Sequence, residues 1–381
     1  MRTIRNMITL SLVGMCMASC IQDEPLNAEA DILQCNLSSD KEYLVTASDT
    51  LMEVTSIMNN ITIFVKPGCD LSKRAPRFIL TEGATIEPAS GSVQDFSNNK
   101  TVKYTVTSQS GEWKREYTVA YYTFISLPTH FGFEHYQLNE SNKYHIIYEE
   151  VDGVDVMSWW NSGNPGFCLA SSAGPDGYPT VCIEEGYKGR CVKLTTRYAG
   201  SFGKAAGMPI APGNLFVGTF NVQQALKAPL AATRFGTPFV EEPDSIVGYY
   251  KYIPGPQMTD GSYNAIGGTD DFNIYAILYE NTDENGTAVM LDGTNSLTSP
   301  YLVLLGQMPA EDRKNTSEWT RFSFPFKAMN DKKVNKERMA KYGYNFGIVF
   351  SSSLKGDDFT GAVGSELYLD EIDIVCKKND K

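Results

Sequence analysis

Trp159-Trp160-Asn161-Ser162-Gly163-Asn164 is the densest set of groups in the chain that could hold a sugar. A pyranose is apolar on its C–H face and polar at its edges. An indole can therefore stack on the face while Asn161, Ser162 and Asn164 bond to hydroxyls. Asn161-Ser162-Gly163-Asn164-Pro165-Gly166 is also turn-forming, which favours an exposed loop. The competing reading places the indoles in the core, because tryptophan is highly buried on average. Tyr249-Tyr250-Lys251-Tyr252 is a second set. On a strand, Tyr250 and Tyr252 share one face, while Tyr249 and Lys251 share the other. One face packs the interior and the other can meet a ligand. Trp159, Trp160, Asn161, Asn164, Tyr250 and Tyr252 are the carbohydrate-binding candidates.

Carboxylates are the second resource. If the first and last strands of a domain lie together, Glu134 and Asp370 come close and could hold a structural calcium. Calcium takes 6–8 oxygen ligands, so backbone carbonyls would have to complete the site; two solvent-facing acids without a metal are the alternative. Glycoside hydrolysis needs two carboxylates ~5–5.5 Å or ~6.5–9.5 Å apart. Asp152, Asp155, Asp270 and Asp271 are available, but sequence gives no separation. There is no Gly-x-Ser-x-Gly elbow, no His-Glu-x-x-His and no phosphate loop. No catalytic residue is assigned, and binding is favoured over catalysis; an enzyme here would be a glycoside hydrolase. His130, His135 and His145 lie far from any cysteine cluster, and no Cys-x-x-Cys occurs, which argues against zinc. The formal net charge of −12 argues against nucleic acid as a partner.

These groups must be carried by an exported, strand-rich chain. Arg2 and Arg5 form a positive start, and Met7 to Met17 an apolar run too short to cross a bilayer of ~30 Å. Met17-Ala18-Ser19-Cys20 resembles a lipobox, so residues 1–19 read as a signal peptide and Cys20 as the lipidated first residue. Residues 20–30 read as a tether. Asp23-Glu24 resembles the surface-export signal of Bacteroidetes lipoproteins, which points to the outer face of the outer membrane. Export leaves Cys35, Cys69, Cys168, Cys182, Cys191 and Cys376, whose pairing, if any, cannot be read from spacing.

From residue 31 to 122, runs such as Ile61–Val65, Thr101–Val106 and Arg115–Tyr121 alternate between turn signals. That pattern indicates an all-β sandwich. From 123 to 381, further runs include Ile246–Tyr252, Phe272–Tyr279, Tyr301–Leu305, Phe346–Phe350 and Glu366–Val375. Eight or more strands with few helices favour a jelly roll. Short helices are expected around Val222–Leu226 and over Asp331–Tyr342, and a hairpin turn at Asn285-Gly286.

Gly83-Ala84-Thr85-Ile86-Glu87-Pro88, Ser90-Gly91, Asp95-Phe96-Ser97, Tyr104-Thr105-Val106 and Tyr117-Thr118-Val119 resemble the immunoglobulin-like domains that begin many Bacteroidetes surface lipoproteins, which implies a spacer. The second region resembles the Putative carbohydrate metabolism domain of Bacteroidetes lipoproteins. It does so through Phe133-Glu134, Trp159 to Asn164, Tyr178-Pro179-Thr180, Lys193 to Thr196, Gly213 to Gly218, Phe235 to Phe239, Gly248 to Tyr252 and Leu367 to Ile372. The resemblance implies carbohydrate handling without naming a reaction. The expectation is a surface lipoprotein that binds a carbohydrate or glycoprotein, held to the membrane at Cys20. The alternatives are a glycoside hydrolase or a structural, adhesive surface protein.

Overall fold

The computed structural model describes residues 25–45, 50–54, 58–151, 153–157 and 159–378. The segment expected to be an export signal, residues 1–19, lies outside the described residues, as do Cys20, Asp23-Glu24 and Asp152. The chain divides into two compact units: residues 1–43 with 50–123, and 44–49 with 124–381.

The first unit holds strands β1 (Ile32–Asn36), β2 (Leu51–Glu53), β3 (Asn60–Val65), β4 (Arg77–Leu80), β5 (Thr85–Glu87), β6 (Thr101–Thr107) and β7 (Lys114–Thr123). They form two sheets, ordered β2-β1-β4 and β3-β7-β6-β5. All pairings are antiparallel except β3 with β7. Side chains alternate between faces, and Ile61, Ile63, Val65, Tyr104, Val106, Tyr117 and Val119 turn inward. Phe78 of β4 meets Tyr104 of β6 at 4.8 Å between ring centres. The Tyr117 hydroxyl accepts from the Ile32 N–H at 3.1 Å, tying the sheets together. This is the all-β sandwich that the alternation indicated, with the immunoglobulin-like fold that the resemblance implied.

The second unit is organised by β8 (Thr180–Ile183), β9 (Cys191–Thr195), β10 (Asn214–Phe220), β11 (Pro243–Ile253), β12 (Asn273–Glu280), β13 (Leu302–Gln307), β14 (Thr316–Ala328), β15 (Tyr344–Ser351) and β16 (Glu366–Cys376). They run antiparallel in the order β8-β9-β16-β11-β14-β13-β12-β15-β10. The sheet curls over its own core at β14. Residues of β14 up to Pro325 pair with β11, and Phe326 to Ala328 pair with β13. Proline has no N–H to give to a ladder, and Pro325 stands at the switch. The two layers close on one apolar interior. It holds Ile246, Phe322, Phe324, Leu367 and Leu369 from one side and Ile274, Ala276, Leu278, Phe346 and Ile348 from the other.

β12 is buried on both faces, which is why it reads as a continuous apolar run. Tyr275, Ile277 and Tyr279 face a second cluster with Phe216, Phe235, Leu291 and Leu302. Helices are short among the described residues. Val222–Ala225 forms one as expected. Of the Asp331–Tyr342 stretch only Lys336–Ala340 is helical, because Asn330 and Asp331 take positive φ and Asn335 caps the helix from outside. Asn285-Gly286 forms a tight turn in which the Gly286 N–H donates to the Asp283 carbonyl at 3.1 Å. The six described cysteines are free thiols. Burial pushes Cys35, Cys182, Cys191 and Cys376 up to about 12, which keeps them protonated at neutral pH.

Candidate functional site

The two candidate ring pairs turn inward. Trp159 and Trp160 are each 2% exposed, and Tyr250 and Tyr252 are fully buried, so none of the four can stack on a sugar arriving from solvent. The Trp160 ring packs edge-on against Phe131 at 4.9 Å. Its Nε1–H donates to Glu149 Oε1 at 3.1 Å. Burial pushes the Glu149 carboxyl up to about 7, against the pull of that indole N–H. The Tyr250 hydroxyl donates to the Asp312 carbonyl at 3.2 Å and accepts from the Lys314 N–H at 3.1 Å. The Tyr252 hydroxyl donates to the Ser352 carbonyl. Asn164 is fully buried and exchanges two hydrogen bonds with the backbone of Thr180. Asn161 donates to the Gly218 carbonyl at 2.6 Å. For Trp160, Asn161, Asn164, Tyr250 and Tyr252 the physical reason is shared: each polar tip finds a protein partner, which lets the rest of the side chain turn inward.

Glu134 and Asp370 converge, but on a loop. Residues 184–190 join β8 to β9. Asp370 Oδ2 accepts from the Lys188 N–H at 2.9 Å, and Glu134 Oε2 from the Arg190 N–H at 3.1 Å. Within the loop, the Gly186 N–H donates to the Gly189 carbonyl at 2.9 Å. Gly189 has φ +65°, and a Cβ there would sit 2.3 Å from Glu134 Oε1. Only glycine lets the carboxylate come this close. Burial pushes Asp370 up to about 6 despite its backbone donors. Among the described residues no group of three or more His, Cys, Asp or Glu side chains is placed to hold a metal. The carboxylates here act as clamps on backbone N–H groups.

What the clamp positions is Tyr187, at the tip of the loop and 49% exposed. Its ring lies on Tyr249 of β11 with centres 3.7 Å apart and planes within 11°. Trp319 of β14 meets Tyr187 edge-on at 6.4 Å. Lys251 Nζ stands 4.5 Å from the Trp319 ring centre and 5.0 Å from that of Tyr368 on β16. Lys193 Nζ on β9 lies 5.2 Å from Tyr368 and pairs with Glu366 at 2.6 Å. Lys193, Tyr368 and Lys251 are direct cross-strand neighbours. The outer face of β9-β16-β11-β14 is therefore an aromatic ledge interleaved with ammonium groups at cation–π distance. Tyr187 is exposed and Tyr249, Trp319 and Tyr368 are half-buried, so the ledge can stack on an apolar face with the Lys251 ammonium beside it to meet hydroxyls. Tyr249 and Lys251 are the other face of the tyrosine-rich strand, as alternation requires. Tyr187 escapes the sequence pattern, although an aromatic between two glycines (Gly186 and Gly189) at a hairpin tip is itself a sign of a displayed ring.

Of the acids suited to hydrolysis, Asp270 is buried and its Oδ2 accepts from Ser353, Ser365 and the Ala362 N–H. Asp271 pairs with Arg313 at 2.7 Å. Both brace loops. Asp155 is exposed on the Val154–Val156 strand.

Residues 132–375 match the Putative carbohydrate metabolism domain family, and residues 45–120 match the family described as SGBP, N-terminal. A crystal structure of a putative glycoside hydrolase from Bacteroides thetaiotaomicron is 43% identical, covers 94% of this chain and 100% of its own, and has a TM-score of 0.75. Another putative glycoside hydrolase, from Bacteroides vulgatus, is 40% identical and covers 67% of this chain and 100% of its own, with a TM-score of 0.62. No curated protein matches the chain. On its fold and on the match over most of the second unit, this chain belongs to the Putative carbohydrate metabolism domain family.

Proposed function

We propose that the chain binds carbohydrate on the ledge of Tyr187, Tyr249, Trp319, Lys251 and Tyr368, in support of glycan uptake or degradation. The observation that carries this reading is an exposed ring, Tyr187, held over Tyr249 by two carboxylates that clamp its loop. A protein that only needed a stable sheet gains little from displaying that ring. Family membership supports a carbohydrate ligand. The test is a glycan array followed by calorimetric titration of Tyr187→Ala and Trp319→Ala. Trp113→Ala, on an exposed ring of the first unit, is the control. Loss of one central aromatic is expected to weaken binding by roughly thirtyfold, about 2 kcal/mol. Binding untouched by both changes would remove the ledge as the site.

We further propose that Cys20 is lipidated and displays the two units at the cell surface. The arginine-led apolar start and the Met17-Ala18-Ser19-Cys20 ending support this. Radiolabelled palmitate should enter the protein in its native host and not the Cys20→Ser variant. A glycoside hydrolase on the same fold is the second reading, favoured by the names of the two Bacteroides relatives. It predicts release of reducing sugar from bound glycans, whereas a binding protein releases none.

A further inference from the structure

The other layer of the second unit carries a different feature. The outer face of β10-β15-β12 is roofed by the segments around Phe167, Phe202, Leu226, Leu297 and Phe359, leaving a cleft of about 420 Å³. That volume is in the range of small-molecule sites, ~300–1,000 Å³. Its floor is two rows of side chains set by strand register. Asn214, Ser351 and Asn273 are direct cross-strand neighbours. Two residues along, on the same face, stand Phe216, Val349 and Tyr275. One step of two residues on a strand is ~6.8 Å, so the floor changes from amide and hydroxyl groups to apolar surface across the length of one ring. Phe220 and Phe235 extend the apolar end. Among the described residues the lining contains no lysine, arginine or histidine and a single carboxylate, Asp357. At the mouth, Phe202 is 55% and Leu226 49% exposed, large apolar side chains left open to solvent.

The geometry points to a second ligand site in this cleft, for a small neutral amphiphile: an uncharged, hydroxyl-bearing head joined to an apolar ring or short chain. The head lies over Asn214, Ser351 and Asn273; the Asn214 Oδ1 already accepts from the Gly163 N–H and the Ser351 hydroxyl donates to the Ser353 carbonyl, which leaves amide N–H groups of Asn214 and Asn273 to donate and the Ser351 oxygen to accept. The body lies over Phe216, Val349 and Tyr275. A fatty acid is disfavoured, because its carboxylate would meet Asp357 and no cation. The site is on the opposite layer from the Tyr187 ledge and does not depend on it.

The experiment uses the neutral dye N-phenyl-1-naphthylamine, whose fluorescence rises on entering an apolar site. Octyl β-D-glucoside, kept below its micelle-forming concentration, is the neutral competitor and octanoate the anionic one. The expected result is a saturable dye signal that the glucoside displaces at a concentration at least tenfold lower than octanoate. Ala170→Trp, which fills the cleft from a half-buried wall position, should weaken dye binding at least tenfold. Phe202→Ala at the open mouth should weaken it by a smaller factor, and Tyr187→Ala should leave it unchanged. Circular dichroism confirms that each variant is folded. The proposal is overturned if the dye shows no saturable signal, if octanoate competes as well as the glucoside, or if folded Ala170→Trp and Phe202→Ala bind as the wild type does.

Discussion

Glu149 makes the interior of the second unit sensitive to pH. Burial raises its carboxyl from 4.5 to about 7. A raised carboxyl means the folded state holds a proton that the unfolded chain releases. Its stabilising contribution is therefore complete below pH 4.5, declines as pH rises, and is gone above about 7. A tenfold difference in proton affinity is worth about 1.4 kcal/mol, so the full effect is about 3 kcal/mol. Glu149→Gln removes the titration while keeping an oxygen for the Trp160 N–H. Urea unfolding followed by tryptophan fluorescence, from about pH 4.5 to 8, reads the difference. Wild type should lose about 3 kcal/mol relative to the variant over that range. Asp370 also titrates, but it does so in both proteins and cancels. Stabilities that run parallel across the whole range would show that Glu149 ionises in the folded state as it does in water, and the reasoning about its burial would fail.

Trp160→Phe removes the indole N–H that pulls the Glu149 carboxyl down. It should cost about 1–3 kcal/mol and move the pH midpoint above that of wild type in the same titration. Gly189→Ala places a Cβ against Glu134 at a positive φ, so the loop must shift. A destabilisation on the order of 1–3 kcal/mol is expected by thermal unfolding, with loss of glycan binding through misplacement of Tyr187. Phe322→Ala empties a site between the layers and should cost about 3–5 kcal/mol in the same assay.

Most of the fold was legible because strands announce themselves by period. Ile246–Tyr252 became Pro243–Ile253, and Glu366–Val375 became Glu366–Cys376, with the ends extended by cross-strand pairing that no local pattern encodes. The curl at Pro325 was not legible, since a proline inside a run reads as an interruption and only the partners on either side reveal a corner. The site was less legible. Alternation separated Tyr249 and Lys251 from Tyr250 and Tyr252, but which face is inner depends on the opposite layer. Trp159 and Trp160 have the composition of a sugar site. Both are core, and the indole of Trp160 can be so because Glu149, distant in pattern though near in chain, offers it an acceptor inside. Glu134 and Asp370 do come together as a pair. Their work is to hold a loop, which depends on backbone N–H groups that residue types do not display.

The position of β16 has a kinetic consequence. This strand holds residues 366–376, yet it lies between β9 and β11 in the middle of the layer that bears the ledge. β9 is separated from it by well over a hundred residues and has no other neighbour toward β11. The layer therefore cannot zip up progressively as the chain emerges; it must wait for its far end to return and be threaded into place. Folding dominated by such distant pairings is slow, because loop closure precedes the contacts that reward it. During that wait the facing edges of β9 and β11 are open templates for another chain. Refolding of the second unit should show a lag in tryptophan signal, and aggregation that rises steeply with concentration during it.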